Sequence, residues 1–336
     1  MISGAHKTDR NARIVQRKHR GSDGVRQLPQ RQQRRKDTYH PEPAYGRCET
    51  TEVGQRPVSM IGIVDAIGAL RGTRHSHGAP GPMRLRNTST RPMKRVRHLV
   101  TDAADCDFYH VVELPDNRLT TGQWDLRASA DQYLGGIAVD GKRVIEIGPA
   151  TGFLSFYMEQ RGAQVVCVEP PMDAFWDLVP RSDNGIEFRQ NFIRHITRIR
   201  NSFWYLHQLY RSSVECYEVD VYQLPSDIAR FDIGVLGSVL LHCCSPVKIL
   251  QSVGNLVDEH MVICERYFAD LAGQPVSRLV PSRDNGVNET WWEFSPVFFQ
   301  QYLGVLGFPK STVTRHRQWY ATDESWVEMF TVVAWR

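Results

Sequence analysis

Apolar residues in the second half of the chain fall into short runs separated by longer amphipathic stretches. Val144–Ile147 and Val165–Val168 are β-rich runs of the kind found in buried parallel strands. Between them lies a stretch with helical spacing that ends near Gly162. The order of strand, turn, helix and strand predicts a βαβ unit, and therefore a domain built on a parallel sheet.

Similar runs continue toward the carboxyl terminus. Further strands are predicted over 214–222, 231–241, 261–265, 313–319 and 330–335, and a helix over 298–307. The connection from 170 to 213 is unusually long. We expect it to hold a helix with positions 203, 206, 209 and 210 on its core-facing side, and a loop that shapes a binding site.

The first hundred residues lack this periodicity and differ in charge. They contain 21 Lys and Arg against 7 Asp and Glu, whereas the other 236 residues contain 20 basic and 30 acidic residues. Such a polar segment cannot bury enough apolar surface to offset the entropy of ordering, so we expect a disordered basic tail over 1–100. Three interpretations stay open: a mis-assigned start upstream of Met83 or Met93, a dispensable tail, or an arm that binds nucleic acid.

Cysteine spacing and hydropathy limit the remaining classes of protein. The seven cysteines form no C-x-x-C pair and no zinc-finger spacing with histidine, so we expect a reducing, cytoplasmic setting and no metal. The longest apolar run of the first hundred residues, near 59–70, is shorter than the roughly 20 residues that a membrane span requires. We therefore expect a soluble protein with no membrane partner.

The turn after the first predicted strand carries the strongest chemical signal. Glycines at 148 and 152 let a ligand approach the backbone, and Glu169, 21 residues after Gly148, can accept two hydrogen bonds from a ribose diol. An NAD-dependent oxidoreductase would share this layout, but the G-x-G-x-x-G fingerprint is absent and Pro149 interrupts it. Because the acidic Glu146 beside the loop suits a positively charged ligand, the pattern favours S-adenosylmethionine, with NAD as the weaker alternative.

These residues also resemble a known family. E-I-G-P-A-T-G at 146–152 and Val168-Glu169 are similar to the first two motifs of class I S-adenosylmethionine-dependent methyltransferases, and the resemblance covers 103–336. It implies a Rossmann-like three-layer α/β sandwich with a mostly parallel seven-stranded sheet and a C-terminal antiparallel hairpin. It also implies that Asp220 reaches the adenine amino group. The cofactor-binding residues implied by the motifs and their neighbours are Glu146, Gly148, Pro149, Thr151, Gly152, Glu169, Asp220, Val221 and Ser238.

Segments at 108–115, 123–127, 237–246 and 290–296 carry a narrower likeness. They resemble a bacterial subgroup related to the tRNA wobble-uridine carboxymethyl-transferring enzymes. A tRNA enzyme usually presents a basic face, whereas residues 101–336 are acidic. We therefore expect methyl transfer to a small molecule, with a tRNA methyl or carboxymethyl transferase as the alternative.

Methyl transfer requires positioning of the acceptor and, for oxygen or nitrogen, removal of a proton. His242 follows the fourth predicted strand and is the first candidate for a general base, with Tyr109 and His110 as further catalytic candidates in a lid over the pocket. Trp124, Arg127 and Trp292 are candidate substrate contacts, and Arg127 could bind an acceptor carboxylate. The alternatives are packing or a cofactor contact for His242, a cofactor contact for Trp124 and Arg127, and core packing for Trp292.

Overall fold

Parallel strands form the centre of the computed structural model, which describes residues 93–172, 177–181 and 186–336. In chain order the strands are β1 (Lys94–Val96), β2 (Trp124–Asp125), β3 (Arg143–Ile147), β4 (Gln164–Glu169), β5 (Glu215–Glu218), β6 (Phe231–Gly237), β7 (Val257–Arg266), β8 (Ser277–Leu279), β9 (Trp292–Phe294), β10 (Lys310–Tyr320) and β11 (Ser325–Trp335). The helices are α1 (Ala130–Tyr133), α2 (Phe153–Glu159), α3 (Ile186–Leu209), α4 (Pro246–Gly254) and α5 (Pro296–Val305). Two 3₁₀ turns cover Ala103–Asp105 and Leu240–His242.

Within the described residues the main sheet has the order β1-β5-β4-β3-β6-β7-β11-β10-β2. The five strands from β5 to β7 are parallel, and β10 and β11 form an antiparallel hairpin beside β7. The mostly parallel Rossmann-like sheet is confirmed. The expected count of seven strands is wrong, because β1 and β2 add short antiparallel strands at the two edges. β1 and β2 contain only three and two residues, and a run this short has no recognisable alternation of apolar and polar residues. Such strands become apparent only from their pairing partners.

Helices cover both faces of the sheet, as the three-layer prediction requires. One apolar core lies between the sheet and α1, α2 and α3, and includes Val144 and Phe203. The other lies between the sheet and α4 and α5, and includes Ile145 and Phe299. Successive residues of a strand point to opposite faces, so Val144 and Ile145 enter different cores.

The basic segment joins the sheet earlier than expected. Lys94, Arg95 and Val96 pair with Glu218, Tyr217 and Cys216 of β5. The predicted boundary placed residues 93–100 in the tail, whereas in the structure this stretch contains β1, an edge strand of the sheet. Residues 1–92 lie outside the described residues, and the disorder expected for them stays a prediction.

The long connection between β4 and β5 contains the 24-residue helix α3. Phe203 and Leu206 are buried, as their spacing predicted, and Tyr210 is half-buried. Leu209 is 39% exposed, so its expected place in the core is wrong; it lies at the last residue of the helix, where the chain turns away. Residues 173–176 and 182–185, part of the predicted site-shaping loop, lie outside the described residues.

Candidate functional site

The carboxyl ends of β3 and β6 meet where the order of the sheet reverses. From β3 the chain passes through α2 to β4 on one side, while β6 lies on the other side of β3. Open α/β sheets bind ligands in the crevice at such a switch point. Here the crevice lies between the loop at 148–152, called the glycine loop below, and the turn that follows β6.

Left-handed backbone runs through the glycine loop. Gly148 has φ 71°, Ala150 has φ 50° and Gly152 has φ 81°. The Gly148 N–H donates to the Val168 carbonyl at 3.0 Å, which ties the loop to β4. Ala150 adopts a conformation that costs an L-residue roughly 1–2 kcal/mol, so the loop holds strain at the centre of the crevice.

Close packing also explains why the two motif glycines are needed. A Cβ at Gly152 would lie 2.6 Å from side-chain atoms of both Phe156 and Phe203. A Cβ at Gly148 would lie 3.0 Å from Val239, which belongs to the turn after β6. The glycines therefore allow α3 and the β6 turn to pack against the loop, whether or not they also admit a ligand.

Glu169 lies at the carboxyl end of β4, as predicted, and is 4% exposed. The backbone N–H of Ala150 donates to its carboxylate. Burial raises the pKa of Glu169, and the nearby Arg200 guanidinium opposes that rise. The predicted ribose acceptor is thus buried beside the glycine loop.

Arg200 of α3 approaches Glu169 where the sequence motif implied a ribose. Its Nη2 lies 3.3 Å from Glu169 Oε2 and donates to the Pro170 carbonyl at 2.5 Å. Its Nη1 lies 3.7 Å from Glu218 Oε1. A cavity of about 150 Å³ beside this pair is lined by Pro149, Ala150, Glu169, Arg200, Trp204 and Glu218, among others.

Glu146 is placed differently from its predicted role. Its carboxylate accepts a hydrogen bond from Ser155 of α2, and it is 3% exposed. Strand alternation directs it to the same face as Val144, into the layer between the sheet and α2 and away from the crevice. Burial raises its pKa to about 7. The expectation that it faces a positively charged ligand therefore has no support in this geometry.

Asp220 and Val221 also lie apart from the Glu169 cavity. Asp220 is exposed, accepts a hydrogen bond from the Tyr222 N–H at 3.0 Å, and lines a separate groove of about 710 Å³ beside α4. The Val221 side chain is buried in the core on the α4 side of the sheet. Only the backbone of Val221 is therefore available to a ligand at this edge.

Three predicted residues meet next to the glycine loop. The His110 Nδ1 lies 2.7 Å from Thr151 Oγ1, and the His110 N–H donates to the same hydroxyl. Burial lowers the pKa of His110 to about 3, so the ring is neutral at physiological pH. Burial raises the pKa of the adjacent Tyr109 to about 12. Thr151 and His110 tie the 109–110 segment to the glycine loop, and its role as a lid over the pocket stays a prediction.

The turn after β6 carries Ser238 and His242. Ser238 has φ 50°, and its hydroxyl lies 3.0 Å from the Tyr133 hydroxyl. The His242 Nδ1 lies 2.7 Å from the Glu289 carbonyl oxygen. A carbonyl only accepts, so Nδ1 carries the proton and Nε2 is the ring nitrogen with a free lone pair. Burial lowers the pKa of His242, which keeps the ring neutral near pH 7.

Glu265, near the end of β7, supports this turn and was not among the predicted site residues. Its carboxylate accepts hydrogen bonds from the Leu240 N–H at 3.2 Å and from the Leu241 N–H. Burial raises its pKa to about 8. The signal was present in the sequence, because Glu265 ends the predicted fifth strand. Nothing comparable marked Arg200, whose role depends on how α3 packs.

Aromatic side chains lie at the carboxyl edge of the sheet near β2 and β10, the last two strands in the sheet order. The Trp124 ring lies 4.7 Å from that of Tyr320, and the Trp124 side chain hydrogen-bonds to the Tyr109 hydroxyl. Arg127 makes a bidentate pair with Asp125 at 2.8 and 2.7 Å, which does not fit the predicted clamp on an acceptor carboxylate. Trp292 of β9 packs half-buried against the α4-side core, and its Nε1 has no hydrogen-bond partner among the described residues.

The described residues contain neither a candidate metal cluster nor a candidate membrane-spanning helix. No group of three or more His, Cys, Asp or Glu side chains in 93–172, 177–181 and 186–336 could hold a metal ion. In the same part of the chain, no helix combines the length and apolar character needed to cross a membrane.

Comparison with solved structures returns methyltransferases at low similarity, whereas no family model and no curated protein matches the chain. One is the 1,6-didemethyltoxoflavin-N1-methyltransferase of Burkholderia thailandensis with S-adenosylhomocysteine bound, at 16% identity and a TM-score of 0.40, covering 63% of this chain and 77% of that one. Another is the N-terminal domain of EvdMO1 with S-adenosylhomocysteine bound, at 17% identity and a TM-score of 0.41, covering 68% and 91%. A third is the magnesium protoporphyrin IX methyltransferase of Synechocystis with S-adenosylmethionine bound, at 13% identity and a TM-score of 0.35, covering 62% and 77%.

Proposed function

We propose that this protein binds S-adenosylmethionine at the crevice between β3 and β6 and transfers its methyl group to an acceptor. The observation that carries the proposal is the position of Glu169: a buried carboxylate at the end of the second parallel strand, beside a left-handed glycine loop at the switch point of the sheet. A carboxylate there can accept both hydroxyl groups of a ribose.

The residues of the crevice fit this cofactor in part. Gly148, Pro149 and Ala150 offer backbone close to the Glu169 carboxylate, and Ala150 already donates its N–H to it. Arg200 fits less well, because its guanidinium lies 3.3 Å from a Glu169 oxygen that the ribose would use. The cofactor supplies a methyl group activated by a sulfonium, so the protein has to orient the acceptor and take up its proton.

His242 is the proposed proton acceptor. Its Nδ1 proton is held by the Glu289 carbonyl, which leaves Nε2 as the basic atom, and its lowered pKa keeps it unprotonated at neutral pH. Glu265 fixes the turn on which it lies. Tyr109 and Trp124, at the same edge, are the proposed walls of the acceptor site.

A small molecule is the proposed acceptor class, because residues 101–336 carry more acidic than basic side chains. One observation favours the second candidate, a tRNA-modifying transferase of the wobble-uridine type. The basic strand β1 pairs at the sheet edge next to the Glu169 cavity, which Val96 and His98 line. An RNA acceptor predicts tRNA binding that weakens steeply with salt and is lost when Lys94 and Arg97 are changed to Gln. Binding with no salt dependence would exclude this candidate.

Calorimetric titration of S-adenosylmethionine and S-adenosylhomocysteine into the full chain tests the proposal. We expect binding, and we expect Glu169→Ala to weaken it at least about tenfold, since hydrogen bonds to a charged acceptor are lost. Asp116→Ala is the matched control, because Asp116 is an exposed carboxylate paired only locally with Arg118. Failure of the folded wild-type chain to bind either ligand would refute the proposal.

A further inference from the structure

The side chain of Arg200 lies against the carboxylate that the proposed ribose would use. Its guanidinium lies 3.3 Å from the Glu169 carboxylate, and the two side chains are 13% and 6% exposed. A ribose diol and a guanidinium both bind a carboxylate through its two oxygens, which together offer about four acceptor sites. The Ala150 N–H and the Arg200 guanidinium already use part of this capacity, so a diol competes with Arg200 for the carboxylate.

The rest of the inner face of α3 closes the crevice around this pair. Phe203, three residues after Arg200, fills the space beside Gly152, and Trp204 lines the remaining cavity. That cavity is about 150 Å³, and ligand pockets usually measure about 300–1,000 Å³. A nucleoside-sized ligand therefore requires part of this face to move away.

Arg200 is only partly satisfied where it lies. Its Nε and Nη1 are buried without a hydrogen-bond partner among the described residues. Its Nη1 faces a second carboxylate, Glu218 at the end of β5, at 3.7 Å, which is too long for a hydrogen bond. The free Nη1 donor lies on the Glu218 side, so the guanidinium can turn toward this second carboxylate.

We propose that Arg200 holds the ribose-binding carboxylate in the absence of cofactor and transfers to Glu218 when S-adenosylmethionine binds. Glu169 is then free for the ribose, and the cavity beside it widens as the guanidinium moves away. The inference rests on the function proposed above. It adds that cofactor binding competes with the Arg200 side chain, an internal group of the protein, while α3 itself stays packed through buried Phe203 and Leu206 and through its hydrogen bonds to residues 104–107.

A permanently structural ion pair is the competing explanation. In that case Arg200 would contribute to folding alone, and its removal would leave ligand affinity unchanged or lower it. Under the proposal, removal of Arg200 abolishes the competition and raises affinity. The two explanations differ in the sign of the effect on binding, which a change in thermal stability alone would not reveal.

Calorimetry with S-adenosylhomocysteine on the full-length Arg200→Met chain tests this sign. Met keeps the apolar stem and removes the charge, and we expect binding about tenfold tighter than wild type, since one charged hydrogen-bonded contact no longer has to be displaced. Arg194→Met is the matched control on the same helix, because Arg194 is exposed and contacts Asn191 rather than Glu169. Equal or weaker binding by a folded Arg200→Met chain overturns the inference.

Glu218→Gln provides a second variant with the opposite expected effect. Without the Glu218 charge, Arg200 has no second carboxylate to move to, so we expect weaker binding of S-adenosylhomocysteine. In the Arg200→Met background the same change should have no effect. An equal loss in both backgrounds would mean that Glu218 contacts the ligand itself, and the transfer step would be wrong. Absence of binding by every folded variant would instead refute the proposed function, and this inference with it.

Discussion

The carboxyl edge of the sheet has two sides, each with a buried carboxylate near the end of a strand. On the glycine-loop side, Glu169 is 4% exposed, accepts the Ala150 N–H and also pairs with the Arg200 side chain. On the hairpin side, Glu265 is 3% exposed and accepts backbone N–H groups of Leu240 and Leu241. A side-chain partner can exchange for a ligand, whereas backbone donors in a packed turn cannot. Burial alone therefore does not identify a binding carboxylate; the kind of partner does.

The two sides also differ in how they tolerate added volume, and this difference gives the largest expected effect. Gly152→Ala adds a Cβ 2.6 Å from two aromatic rings at φ 81°, so we expect a loss of about 3 kcal/mol from combined strain and overpacking. Gly237→Ala, on the hairpin side, adds a Cβ 2.9 Å from Tyr133 and 3.4 Å from Leu154, and it needs no left-handed backbone. We expect it to cost about 1–2 kcal/mol.

Guanidinium unfolding followed by tryptophan fluorescence measures both losses in free energy. Gly141→Ala is the control for backbone strain alone, because φ is 69° there and nothing lies within 4 Å of the added Cβ. Equal losses for Gly152→Ala and Gly141→Ala would show that Phe156 and Phe203 do not restrict the loop.

A smaller effect is expected in the pH dependence of the free energy of unfolding, which differs between Glu146 and Glu265. Burial raises the pKa of Glu146 to about 7 from an unfolded value near 4.5, so the folded state binds its proton more tightly. Stability should therefore fall as pH rises from about 4.5 to 7, and Glu146→Gln should add about 2 kcal/mol at pH 8 and little at pH 4. The pKa of Glu265 is raised to about 8, so the stability gained by Glu265→Gln relative to wild type should keep growing up to about pH 8.

Unfolding curves at pH 4, 6 and 8 measure this effect, and calorimetry on the same Glu146→Gln chain completes the test. Unchanged affinity for S-adenosylhomocysteine is the expected result, since Glu146 faces Ser155 and not the crevice. A large loss of affinity in a stabilised chain would restore Glu146 to the cofactor site.

The smallest expected effect concerns Ala150. With φ 50°, Ala150 should gain about 0.5 kcal/mol of stability on change to Gly, because relief of left-handed strain slightly exceeds the added entropy of the unfolded chain. Ala104→Gly, at an exposed position outside the positive-φ set, should lose a similar amount. If Ala150→Gly lost as much stability as Ala104→Gly, the backbone at Ala150 would not be strained.

Local signals predicted much of the glycine-loop side. The run from Val144 to Glu169 combines strand, glycine turn and helix within one short segment, and the structure forms these elements close to their predicted bounds. The hairpin side was harder to predict, because Tyr109, Trp124, Glu265 and Tyr320 come from segments more than two hundred residues apart at the extremes. No spacing rule relates side chains that only sheet pairing brings together.

By itself, the sequence determined the parallel sheet, the glycine loop and the carboxylate at the end of the second strand, because hydrophobic period and glycine conformation act over a few residues. Only the tertiary structure decided which way Glu146 points, that Asp220 lines a different groove, and that Arg200 covers Glu169. These outcomes depend on strand alternation and on the packing of α3 across the sheet. Such contacts join residues distant in the chain, and their energies are set by burial and by the partners found there.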